Sequence, residues 1–193
     1  MRWKNFGKTT AEEGHKVFCS GKEDKHEHGA AFLVHKDIVN TVTGCHPVSS
    51  RLILICLTTV PFNMTVVHLY VPTSDYDDNE IEESYDQLQN VIDQTLKKNI
   101  LVVRGGWNPK VGKDACENWH GIYGPSCNDD RNKRGLRLLE FASFNDLVLA
   151  NTFGHHIASR RWIWHSPNGQ HHNQIDYILV RKCFRSGVNS ART

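Results

Sequence analysis

The apolar positions along this chain change period several times, and each change marks an element. Residues 50–60, "SRLILICLTTV", form an apolar, β-branched run suited to a buried strand. Pro61, Phe62 and Asn63 break it, and "MTVVHLYV" at 64–71 returns before Pro72, so the two read as a hairpin. A helical period follows. Ile81, Tyr85, Leu88, Ile92 and Leu96 recur every three or four residues. Asp77 or Asp78 is placed to cap this helix, and Lys97 and Lys98 suit its other end. A short buried strand, "ILVV" at 100–103, comes next. A polar, glycine-rich loop at 107–132 separates it from a second helix at 133–144, with Leu136, Leu139 and Phe141 inward.

The last third predicts strands at 147–153, 161–164 and 174–180, with Pro167, Asn168 and Gly169 as a turn between the second and third. Before residue 50 the pattern is weaker: a polar stretch through "GKEDKHEHG", then an apolar strand in "AAFLVHKDIV" at 30–39. Strands interleaved with helices and hairpins give a mixed α/β or α+β class. At 193 residues, without an internal repeat or linker, one domain is expected.

Composition narrows the setting. A net charge of +2 permits a nucleic-acid partner without requiring one. The basic residues are clustered, however: Arg131, Lys133, Arg134 and Arg137, then Arg160 and Arg161, then Arg181, Lys182 and Arg185. No apolar run has the ~20 residues of a membrane helix, and the first residues lack the apolar core of a secretory signal, so an intracellular protein, nuclear or cytoplasmic, is expected. The six cysteines then read as reduced thiols. The twelve histidines lack a cysteine pair at zinc-finger spacing, which favours solvated loop histidines over structural zinc.

Three positions could carry chemistry. Asp176 lies in the apolar run "NQIDYILV", where alternation puts it on the face opposite Tyr177 and Leu179. A carboxylate there is either bonded to a nearby loop or part of a site. Tyr70 ends a strand before a proline, as a core residue or as a hydroxyl offered to a phosphate. Asn108 follows a glycine pair in "GGWN", a turn that in isolation says little. Trp162 and Trp164 could stack on bases, although a tryptophan in a strand more often fills a core.

The order of these pieces is more specific than any one of them. A Y-x-P strand end, a helix, an apolar strand ending in G-x-W-N, a second helix and a tryptophan hairpin closing on Q-I-D-Y-I resemble the endonuclease/exonuclease/phosphatase superfamily. Within it, "WNPKVG" and "WHSPNGQHHNQIDYILV" are most similar to the endonuclease domain of BovB-type long interspersed retroelements. The resemblance covers the whole chain. It implies a two-sheet β-sandwich flanked by helices and Mg²⁺-dependent hydrolysis of a DNA phosphodiester. It also implies roles: Tyr70 and Asn108 contacting phosphate, Asp176 an acidic and metal-facing member of the site. Arg131, Lys133, Arg134, Arg160 and Arg161 are expected to track the backbone of DNA.

The departures from the family pattern shape the expectation. The family turn reads G-D-x-N, and its Asp orients or activates water; here Gly106 holds that position. The hairpin that usually begins Thr-Trp reads Ile163-Trp164. The family's early Asn and Glu, and its closing Ser-Asp-His, have no counterpart in residues 1–193, so the domain is expected to be truncated at both ends. The expected function is therefore a retroelement-derived endonuclease-like domain, catalytically impaired or inactive, with Mg²⁺ held weakly. The alternative is a non-catalytic module that binds nucleic acid or protein.

Overall fold

A computed structural model describes residues 5–22, 29–72, 77–112, 115–125, 131–154, 164–165, 172–173 and 176–188. The chain forms two compact units, 1–103 and 104–193. Arg160 and Arg161 lie outside the described residues, as do most of the tryptophan hairpin and the proline turn at 167–169.

The first unit is built on two sheets. One has the antiparallel order β1 (Gly7–Thr10), β2 (Lys16–Ser20), β3 (Ala30–Val34). The other runs β4 (Val42–Ser49), β5 (Leu52–Leu57), β6 (Met64–Tyr70) and β7 (Ile100–Gly106), the last of which carries the chain into the second unit. The sheets face each other across a core in which Phe18, Ala30 and Val34 meet Ile53 and Ile55. The Ser20 hydroxyl donates to the Ser49 carbonyl at 2.7 Å, tying one sheet to the other. Sheets joined through apolar inner faces make a sandwich.

Helix α1 (Asp78–Gln94) lays Ile81, Tyr85, Leu88, Val91 and Ile92 against the second sheet. Its start is capped by the Asp77 side chain, as the sequence suggested. Its end comes sooner than the pattern implied. The Thr95 hydroxyl donates to the Val91 carbonyl at 2.7 Å, and the backbone turns away. Leu96 is consequently 59% exposed, and Lys97 and Lys98 fall beyond the helix. Three strands before residue 50 went unforeseen: β1, β2 and β4. β1 and β4 are mostly polar and exposed, so they lack the alternation that reveals a half-buried strand.

In the second unit, α3 (Lys133–Phe144) buries Leu138, Leu139, Phe141 and Ala142 and packs on β8 (Leu147–Leu149), whose three residues are all buried. β8 pairs antiparallel with β11 (Asp176–Arg181). The strand foreseen over 147–153 stops at Leu149, because the Thr152 hydroxyl donates to the Leu149 carbonyl at 2.6 Å and closes a tight helical turn. A short helix, α2 (Ala115–Asn118), interrupts the long loop. β9 (Trp164–His165) and β10 (His172–Asn173) pair antiparallel. The expectation of six reduced cysteines is corrected at Cys116, which is disulfide-bonded; Cys19, Cys45, Cys56 and Cys183 are free thiols.

One close approach sets the loop after β7. A methyl placed on Gly135 would lie 1.8 Å from the Lys110 carbonyl oxygen, so only glycine lets α3 meet that loop. We predict that Gly135→Ala costs about 1–3 kcal/mol, the usual range for overpacking. Gly187→Ala, whose added carbon would meet nothing within 4 Å, serves as the control. Denaturant midpoints for the two variants would check this; equal midpoints would contradict it.

Candidate functional site at the turn after β7

The turn "GGWN" gains its shape from what anchors it. Trp107 is 1% exposed, and its indole N–H donates to the Tyr177 carbonyl at 3.0 Å. That bond ties the residue before Asn108 to the residue after Asp176. Asn108 then turns the chain with φ of +54°, a left-handed conformation that asparagine tolerates better than most residues. Beyond it, the Asn132 carboxamide oxygen accepts from Lys110 N–H at 3.1 Å and from Gly135 N–H at 2.8 Å. The Asn132 N–H donates to the Lys110 carbonyl at 3.0 Å. Asn132 is the N-cap of α3, so one side chain both caps the helix and fixes the turn.

The start of β11 is held with similar care. Asn151 is 3% exposed; its amide donates to the Asp176 carbonyl and its carbonyl accepts from Ile178 N–H, both at 3.1 Å. The carboxamide thus mimics a neighbouring strand. Asp176 and Ile178 are half-buried while Tyr177 and Leu179 are buried, which is the alternation expected of the strand.

Burial is the largest influence on Asp176 and pushes its carboxyl above the usual range; the Arg104 guanidinium opposes this without cancelling it. The local field is therefore a reluctant anion beside an exposed cation. Arg131 and Lys133 are exposed next to the Asn132 cap, and Arg134 is half-buried in the first turn of α3. Tyr70 ends β6 in the first unit, half-buried, with its N–H donating to the Arg51 carbonyl at 2.9 Å. The Trp107–Tyr177 bond thus links the chain neighbours of Asn108 and Asp176, two of the positions singled out in the sequence. Gly106, half-exposed, precedes them in the turn.

Among the described residues, no group of three or more His, Cys, Asp or Glu side chains is placed to hold a metal ion. A single carboxylate beside a guanidinium is a poor match for Mg²⁺, which takes near-octahedral oxygen coordination. These residues therefore do not fit the ion that the resemblance implies.

Sequence reasoning passed over Asn132, Asn151 and Arg104. Asn132 had a legible signal, standing immediately before the periodic run of α3. Asn151 had none, because its use depends on a strand 25 residues away.

The fold matches known proteins. The endonuclease domain of TRAS1, a telomere-specific non-LTR retrotransposon, superposes with a TM-score of 0.62 at 15% identity, over 90% of this chain and 70% of that one. The 3′ phosphatase NExo from Neisseria, bound to a product DNA hairpin, gives 0.61 at 16%, over 88% and 68%. An endonuclease/exonuclease/phosphatase family protein from Leptotrichia buccalis gives 0.51 at 12%, over 88% and 60%. This chain has the endonuclease/exonuclease/phosphatase fold. It is also similar along its whole length to craniofacial development protein 2 of Bos taurus and of Tragulus javanicus, at 33% identity over 193 residues in each case. It spans about a third of those relatives, 32% and 33% of their length. No protein-family model matches it. No helix among the described residues is long and apolar enough to cross a membrane.

Within this endonuclease/exonuclease/phosphatase fold the raised pKa of Asp176 has a consequence for stability. An acid whose folded pKa lies above its unfolded one favours the fold when protonated. That contribution is fully present below the unfolded pKa and is lost as pH rises through the folded value. Asp176→Asn removes the charge and keeps the shape. We predict a higher denaturant midpoint than the parent at pH ~7, with the gap closing as pH falls through the carboxylate range toward ~3. A gap that stays constant with pH would contradict burial of the charge as its cause.

Proposed function

We propose that residues 1–193 work as one endonuclease-like domain of retroelement descent, which engages the phosphodiester backbone of DNA but is impaired in cleaving it. The observation that carries this reading is Gly106. The family's acid stands between the glycine and the residue before the asparagine, and that position has no side chain here. The rest of the turn keeps its supports: the Trp107 bond to β11, the Asn132 cap and the Asn151 clamp. A site with an intact frame and no acid suits recognition better than hydrolysis.

In this reading Asn108 offers its amide to a phosphate oxygen; Tyr70, in the first unit, is taken separately as a hydroxyl that contacts phosphate. Asp176 is the remaining acidic member. Arg131, Lys133, Arg134, Arg160 and Arg161 supply positive charge along the backbone. Removing one positioned catalytic group commonly costs about 10²–10³ in rate. Asp176, held partly by burial toward its neutral form, does not replace a water-orienting carboxylate at Gly106.

A second reading is a binding module without chemistry. It is favoured by the exposure of Arg131 and Lys133 beside a turn that lacks its acid. One experiment separates the two. The chain is mixed with linear duplex DNA at rising salt, and with supercoiled plasmid in Mg²⁺ beside Asp176→Ala. Duplex binding at ~50 mM salt is expected to weaken roughly 40- to 150-fold by ~200 mM, as three or four phosphate contacts would give. Plasmid nicking is expected at the background rate of Asp176→Ala. Slow nicking that Asp176→Ala removes would favour a residual enzyme over the pure module. Fast nicking that Asp176→Ala removes would contradict the impairment. Absence of any shift at ~50 mM would contradict DNA engagement.

A further inference from the structure

The first unit contains a cavity of about 480 Å³ that the reading above does not use. Its apolar wall is formed by Phe18, Val39 and Val42, all members or neighbours of the sandwich core. Lys8 and Lys16 also line it, and among the described residues no acidic side chain does.

The strand register places the two lysines. Lys8 stands opposite Phe18 across the β1–β2 pair, and Lys16 stands two residues before Phe18 on β2, so all three share a face. The Lys8 ammonium sits 5.4 Å from the centre of the Phe18 ring. Phe18 itself is 5% exposed, so the charge rests at the boundary between core and solvent. Among the described residues, neither lysine forms an ion pair with a carboxylate.

Cys45 completes the lining. Burial first, and then the neighbouring thiols of Cys56 and Cys19, push its thiol up to about 11. It is therefore neutral at physiological pH, and among the described lining residues the lysines carry the formal charge. A cavity of this size, with one apolar wall and several polar groups around it, lies in the range of about 300–1,000 Å³ usual for small-molecule sites.

We propose that this cavity binds a small amphiphile with one carboxylate and one apolar tail, the carboxylate held by Lys8 and Lys16 and the tail laid on Phe18, Val39 and Val42. The two lysines answer the charge, and the core wall answers the tail. Neither half of such a ligand satisfies the cavity alone. An alcohol leaves two ammonium groups without a counter-charge, and a short carboxylate leaves the apolar wall in contact with water.

The test uses the whole chain and three probes: decanoate, acetate and 1-decanol. Isothermal titration is expected to give one decanoate per chain, with acetate and decanol each at least about tenfold weaker, the size expected for losing a charged hydrogen bond or a buried tail. The double variant Lys8→Gln, Lys16→Gln should weaken decanoate by about tenfold or more, while decanol changes little. Its unfolding temperature should stay near that of the parent, since Lys8 is exposed and Lys16 half-buried. The proposal is overturned by any of four results: no decanoate binding, decanol as tight as decanoate, acetate as tight as decanoate, or a double variant that binds decanoate as the parent does.

Discussion

The indole N–H of Trp107, donated to the Tyr177 carbonyl in the interior of the second unit, determines where the chemistry-bearing residues of that unit can be. A buried donor without a partner costs about 1–3 kcal/mol, so the bond resists opening. Its two ends flank Asn108 and Asp176. Everything else in the neighbourhood adjusts to that join. The left-handed turn at Asn108, the cap at Asn132 and the close approach of Gly135 to Lys110 all carry the loop from Trp107 onto the start of α3. Asn151 then fixes the start of β11 from its other side.

This frame holds the turn in shape without a side chain at position 106. None of the bonds that shape it involves a side chain at position 106. Glycine there disturbs neither Trp107 nor Asn132. Asp176 behaves differently. It lies in a strand, its carboxyl is partly withdrawn from water, and Arg104 is the charge that compensates it.

The sequence carried the elements with strong periodicity. α1, α3, β5 and β6 followed from their apolar spacing, and the Asp77 cap from its position before the first periodic residue. The termination of α1 at Gln94 did not, because Thr95 stops the helix with a side-chain bond that no spacing rule reveals. β1 and β4 escaped because they are exposed and polar, so their place in the sheets depends on partners distant in sequence. At the site, Asn108 and Asp176 stood out by their order in the chain. Asn151 and Arg104 matter only through contacts with β11, which a one-dimensional pattern does not contain.

The central claim is that the Asn108 turn and the start of α3 meet a phosphodiester backbone that they do not cut. Amide-resolved NMR during titration with a short phosphodiester duplex tests it most directly. The account predicts that the Asn108 side-chain amide and the backbone amides of 131–134 shift together and saturate, while the duplex stays intact in Mg²⁺. Saturable binding that leaves those amides unmoved, or shifts accompanied by prompt cleavage of the duplex, would contradict it.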